Sequence, residues 1–131
     1  MRLLLDTHIW VWSQLEPDRL SPQVRTALED PEAELWLSPI SVWELLLLIE
    51  RGRVTVRGDP GSWVQNALRV SPLREAPLTH AVALESRRVT LPHQDPADRF
   101  LVATARLLDL ALVTADQRLL AASPCKLLAN P

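Results

Sequence analysis

Asp95-Pro96-Ala97-Asp98 sets two carboxylates three residues apart at the mouth of a helix. Asp95 stands where an N-cap belongs, Pro96 fills the first helical position, and Asp98 falls at N3 on the same face. Capping alone accounts for such a pair, since both acids satisfy orphan N–H groups and suit the positive end of the helix dipole. Similar surroundings recur three more times. Asp6 follows the apolar run Leu3-Leu4-Leu5, Asp116 follows Leu112-Val113-Thr114, and Glu44 ends Ser41-Val42-Trp43-Glu44, which has the form of a capping box. Brought together, Asp6, Glu44, Asp98 and Asp116 would repel one another and raise one another's pKa, unless a cation shared the site. Hard oxygen donors suit Mg²⁺ or Mn²⁺. The chemistry such a set supports is phosphodiester hydrolysis, with the ion offsetting transition-state charge and activating water. Thr7 and Thr114 place hydroxyls at the rim of this group, as further polar contacts or as caps.

Positioning these acids requires alternating strands and helices. Arg2–Leu5 is short and continuously apolar, as a buried central parallel strand is. A helix then begins at Thr7, so Asp6 lies at the carboxyl end of that strand. Ser21-Pro22 opens a helix running to about Glu29, stopped by Asp30-Pro31. Glu34–Leu37 is a second strand, broken by Ser38-Pro39. The capping box places the next helix start at Ser41, and Arg51-Gly52 ends that helix. Leu45–Ile49 is apolar around most of the helix, so the helix is either sandwiched between other elements or meets a partner. A helix from Trp63 to Val70, a short strand at Leu73–Ala76 and a helix capped by Thr79 and running to about Arg87 follow. The long apolar helix after Pro96 turns at Asp109-Leu110 into the strand Ala111–Thr114. A short helix through Leu120 and an edge strand at Cys125–Leu128 complete the series. Such alternation predicts an α/β fold with a mostly parallel sheet and helices on both faces. In such a sheet the strand-to-helix junctions gather on the carboxyl edge, where ligands bind. Folding is therefore expected to bring the four acids together.

The totals narrow the choice further. A chain of 131 residues is expected to form one domain, residues 1–131. Its net charge of −2 gives no global basic field of the kind duplex-DNA binders use. Lys126 is the only lysine, and Arg51, Arg53 and Arg57 lie close together, as a solvated helix end or as phosphate contacts. The single Cys125 excludes an internal disulfide and a cysteine-based zinc site. His8, His80 and His93 lack zinc-ligand spacing; His8 and His93 lie at junctions near the site, where each is expected to be a hydrogen-bonded structural imidazole. A phosphohydrolase with an aspartyl nucleophile would need a second Asp two residues after Asp6, where His8 stands. A phosphoacceptor receiver domain would need an acidic pair at the first strand end and a late lysine, and Lys126 is poorly placed for that. No signal peptide and no membrane-spanning run are evident, so a cytoplasmic protein is expected.

Four segments carry a resemblance in order along the chain. Leu3-Leu4-Leu5-Asp6-Thr7-His8, Ser41-Val42-Trp43-Glu44-Leu45, Asp95-Pro96-Ala97-Asp98-Arg99-Phe100-Leu101-Val102-Ala103-Thr104-Ala105 and Val113-Thr114-Ala115-Asp116 resemble PIN-domain ribonucleases. The pattern is similar to VapC-type toxins of type II toxin–antitoxin systems. The resemblance implies a three-layer α/β/α fold around a central parallel sheet, and a Mg²⁺- or Mn²⁺-dependent endoribonuclease acting on RNA. It also implies a homodimer and a cognate antitoxin that inserts a C-terminal segment into the active-site groove. Carried over by motif, Asp6, Glu44, Asp98 and Asp116 are the catalytic and metal-site residues, with Asp95 and Thr114 as weaker metal candidates. Asp95 serves equally as the cap of the helix that presents Asp98. Arg99 is expected to reach a phosphate, the antitoxin or a neighbouring acid. Trp10, Trp12 and Trp43 flank the acidic junctions, where at least two are expected in the core and the remainder could stack on a base. Two rivals stand beside the toxin: a PIN nuclease of RNA maturation or turnover without an antitoxin, and a PIN module that binds without cutting. The complete acidic set argues against the second.

Overall fold

The computed structural model describes residues 1–131. Five strands, β1 (Arg2–Leu5), β2 (Glu34–Leu37), β3 (Leu73–Glu75), β4 (Ala111–Thr114) and β5 (Leu127–Ala129), form one sheet in the order β3-β2-β1-β4-β5. Every pairing is parallel, with Leu4 of β1 opposite Trp36 of β2 and Leu112 of β4. β1 is central, as its continuous leucines required. The strand order reverses between β1 and β4, and an open parallel sheet splits into a crevice at such a point.

Seven helices cover the two faces: α1 (Thr7–Leu15), α2 (Pro22–Glu29), α3 (Pro39–Glu50), α4 (Pro60–Val70), α5 (His80–Ser86), α6 (Pro96–Leu108) and α7 (Gln117–Ala122). Alternation along β1 divides the core between them. Leu3 and Leu5 pack with Ile9 and Trp10 of α1, Val24 of α2, Leu45 of α3 and Val64 of α4. Leu4 points the other way, onto Val82 of α5, Leu101 and Val102 of α6 and Leu119 of α7. The result is a three-layer α/β/α sandwich. α3 lies against α1, α4 and α6, so its apolar girth is largely accounted for by sandwiching, and its residues 46–49 are half-buried.

Caps set the helix starts. Asp6, Ser21, Asp59, Thr79, Asp95 and Asp116 each accept a backbone N–H at the head of their helix. α3 corrects the expected boundary. Ser38 caps it and Pro39 is its first residue, so Ser41 is buried inside the helix and Glu44 lies in the second turn rather than at N3. The capping box at Ser41 is a coincidence of spacing, and the earlier Ser-Pro pair wins because proline pre-sets the first helical φ. Just past the end of α3 at Glu50, Gly52 has a φ of 71°, which favours glycine. The carbonyls that end α6 are satisfied from across the fold, since Arg2 Nη1 donates to Leu108 O at 2.6 Å.

Candidate active site

Asp6 and Asp116 flank the crevice, one directly after β1 and the other two residues after β4. Glu44 reaches it from the second turn of α3. Asp98 comes from the first turn of α6, which follows α5 through a loop and not a strand. Only two of the four acids therefore stand at true strand-to-helix junctions. All four nevertheless share one neighbourhood. The charge of Asp6 acts on both Glu44 and Asp98, and that of Asp116 acts on both Asp6 and Asp98.

Each carboxylate is held by its own partner. Asp6, 7% exposed, accepts the backbone N–H of Thr7 at 2.7 Å and the hydroxyl of Thr114 at 2.6 Å. Thr7 Oγ1 lies 2.5 Å from Glu44 Oε1, to which it donates, and 2.9 Å from Ser41 Oγ. His93 Nε2 lies 2.6 Å from Asp98 Oδ2. Arg118 grips Asp116 through two nitrogens, at 3.3 and 3.0 Å, and brings its guanidinium to 4.0 Å from Asp98. Thr114 closes the set by accepting the N–H of Asp116 at 3.0 Å.

These environments push the acids apart in pKa. Burial raises Asp6, against its hydrogen bonds from Thr114 and Thr7. Burial also raises Glu44, with the charges of Asp6 and Asp95 adding to it. Asp98 is raised to about 7, first by burial, with Asp6, Asp95 and Asp116 pushing in the same direction and His93 opposing. Asp116 is lowered: desolvation pushes it up, but the hydrogen bonds and charge of Arg118 outweigh that. Two desolvated like-charged acids and a third near neutrality form a reservoir of unfavourable charge that a cation relieves. No three His, Cys, Asp or Glu side chains converge on one point at ion-binding distance. The expected convergence is thus electrostatic rather than a closed cage. An all-oxygen set of this kind fits Mg²⁺ or Mn²⁺, which bind through one or two carboxylates and keep several waters.

Other expected residues divide. Asp95 caps α6, accepting from Ala97 at 2.9 Å and Asp98 at 3.3 Å, and its charge still reaches Glu44 and Asp98. Arg99 pairs with no acid. It donates to Val89 O at 2.6 Å and to Ser86 O and Gln94 Oε1, tying the segment that carries His93 to α6. Trp10 is in the core and Trp12 is half-buried against it, whereas Trp43 is 56% exposed. His93 is hydrogen-bonded as expected, but its partner is Asp98 itself, which makes it part of the site. Arg118 was not anticipated at all. Its one signal is its place two residues after Asp116, at the opening of a short helix.

A family model described as the PIN domain matches residues 3–123. Ribonuclease VapC22 of Mycobacterium tuberculosis is 38% identical over 120 residues, spanning 89% of this chain and 88% of that protein. The fold is similar to a chain of VapBC2 from Rickettsia felis bound to a DNA fragment from its promoter, with a TM-score of 0.72, 16% identity and 98% of each chain covered. It is also similar to a chain of FitAcB from Neisseria gonorrhoeae, with a TM-score of 0.68, 23% identity, and 98% of this chain and 97% of that one covered. With β1, α3, α6 and β4 bringing Asp6, Glu44, Asp98 and Asp116 to one crevice inside the matched span, this chain belongs to the PIN-domain family.

Proposed function

We propose that the protein is a toxin-type, divalent-metal-dependent endoribonuclease that hydrolyses RNA phosphodiester bonds and is restrained by a cognate antitoxin. The observation that carries this is the electrostatic sharing among Asp6, Glu44, Asp98 and Asp116 at the strand-order reversal. The likeness to Ribonuclease VapC22 supports RNA as the substrate, and the likeness to VapBC complexes supports an antitoxin partner. A cytoplasmic, homodimeric protein is part of the same proposal.

Asp6, Glu44, Asp98 and Asp116 would hold Mg²⁺ or Mn²⁺, with Asp95 and Thr114 at the margin. A bound divalent ion supplies positive charge against the phosphoryl oxygens and acidifies water. The chain's own contributions are distinct. Thr114 and the Thr7 amide orient Asp6, and Thr7 through its hydroxyl orients Glu44. Asp98, poised near neutrality and joined to His93, can hold or release a proton within reach of a reacting water. Arg118 offers a guanidinium beside Asp116 and Asp98, placed to meet a phosphate.

Cleavage of structured RNAs in Mn²⁺ or in EDTA, beside Asp6→Asn and Asp98→Asn, tests this. Asn keeps a hydrogen-bond acceptor at both positions but removes the charge. Metal-dependent cuts lost in both variants are expected. Cuts that persist in EDTA, or full activity in Asp98→Asn, would overturn the assignment.

A further inference from the structure

Beside the acidic crevice, between α1 and the segment that leaves α3, lies a cleft of about 590 Å³. Its floor is apolar, with Val11, Leu48 and Val54, and its walls carry His8, Trp12, Arg19 and Arg53. Arg19 lies over the Trp12 ring, its guanidinium carbon 4.2 Å from the ring centroid. Glu16 engages Arg19 Nη1 at 3.2 Å and leaves Nε and Nη2 without protein partners. The His8 ring stands 6.0 Å from Trp12 at 55°, exposed and free of hydrogen bonds to protein. Arg53 is exposed and pairs with no acid. The cleft joins the acidic crevice through His8, which follows Asp6 by two residues and acts electrostatically on both Asp6 and Glu44.

We infer that this cleft is the RNA-strand subsite next to the scissile phosphate, with Arg19 and Arg53 meeting backbone phosphates and the exposed His8 ring, beside Trp12, meeting a base. The inference rests on the nuclease function proposed above. Aromatic faces with interleaved arginines are what single-stranded nucleic acid needs, stacking for the base and cations for its phosphates. The chain has no basic field to supply that attraction globally, so it must be local. A protein segment could claim the apolar floor, but it would leave the unpaired Arg53 charge and the free Nε and Nη2 donors of Arg19 to be matched. An RNA strand leading into the crevice matches both.

The test uses the full chain, a fluorescein-labelled short single-stranded RNA of randomised sequence in EDTA, and cleavage in Mn²⁺. Arg19→Ala with Arg53→Ala is compared with a remote control, Arg87→Ala with Arg88→Ala at the end of α5. About tenfold weaker RNA binding is expected for the cleft variant and no change for the control. The log–log salt slope should fall by about 0.7 for each phosphate that the cleft no longer neutralises. His8→Ala should weaken binding without altering that slope. Unchanged RNA affinity and slope in the cleft variant would overturn the inference even if Mn²⁺-dependent cleavage is intact. So would a cleft variant that loses only antitoxin binding. Conversely, cleft-dependent RNA binding without any cleavage would uphold the subsite and sink the nuclease, so the two failures are distinguishable. Circular dichroism confirms that each variant is folded.

Discussion

Thr114 shows how far one hydroxyl organises this site. Fully buried at the end of β4, it donates to Asp6 at 2.6 Å and accepts from the Asp116 amide at 3.0 Å, so it joins two acids that no backbone bond connects. Thr114→Val keeps the shape and removes both bonds, leaving the buried Asp6 carboxylate short of a donor. A loss of about 1–3 kcal/mol of stability is expected, with RNA cleavage falling further than stability accounts for. Urea unfolding with parallel cleavage assays on the folded variant measures both. Fully retained activity would reduce Thr114 to a capping role. At this scale much of the site was legible: Asp6, Asp98 and Asp116 follow from cap and strand-end chemistry. Arg118 was not, because an exposed arginine two residues after an acid is common, and only the approach of α6 to α7 gives it a second carboxylate to face.

Among the elements, α6 carries the clearest separation of capping from chemistry. Asp95 accepts two amides at its head, and Asp98 projects from its first turn toward the crevice. Asp95→Ala should cost about 1 kcal/mol through the lost cap, whereas Asp95→Asn should be nearly neutral. Cleavage by Asp95→Asn close to the parent rate would confine Asp95 to capping; a loss as deep as that of Asp98→Asn would make it a metal-site residue. Strand positions were readable because continuous leucines and short β runs leave few choices. The start of α3 was misplaced by three residues because Ser38 and Ser41 both precede a helical pattern, and only Ser38 is followed by proline. The partnership of His93 with Asp98 was out of reach for a related reason: the segment before α6 has no period of its own and takes its course from the Arg99 bonds to Ser86 and Val89.

For the molecule as a whole, the raised acids set how stability answers to pH and to ions. Asp98 is raised from 3.8 to about 7, so its proton stabilises the fold fully below the unfolded value and that contribution is lost as pH climbs toward 7. The buried Asp6 and Glu44 act in the same direction. The lowered acids, Glu34, Asp59, Asp109 and Asp116, contribute stability that is complete above their unfolded values and is lost only as pH falls below them. In EDTA the melting temperature should therefore decline between about pH 5 and about pH 7. Millimolar Mn²⁺ should offset that decline, because an ion that binds only the native state adds stability by mass action and the deprotonated acids bind it best. A melting temperature indifferent to Mn²⁺ at neutral pH would count against an ordered ion among these carboxylates.

The parallel pairing of β1 with β4 joins Leu3, Leu4 and Leu5 to Ala111, Leu112 and Val113, each 108 residues later in sequence. A growing polypeptide cannot make such a pairing until its second strand has left the ribosome. Asp6 is translated long before Thr114, which orients it, and Asp116, which faces it. A nascent chain, or one ended before Asp116, therefore holds no assembled crevice.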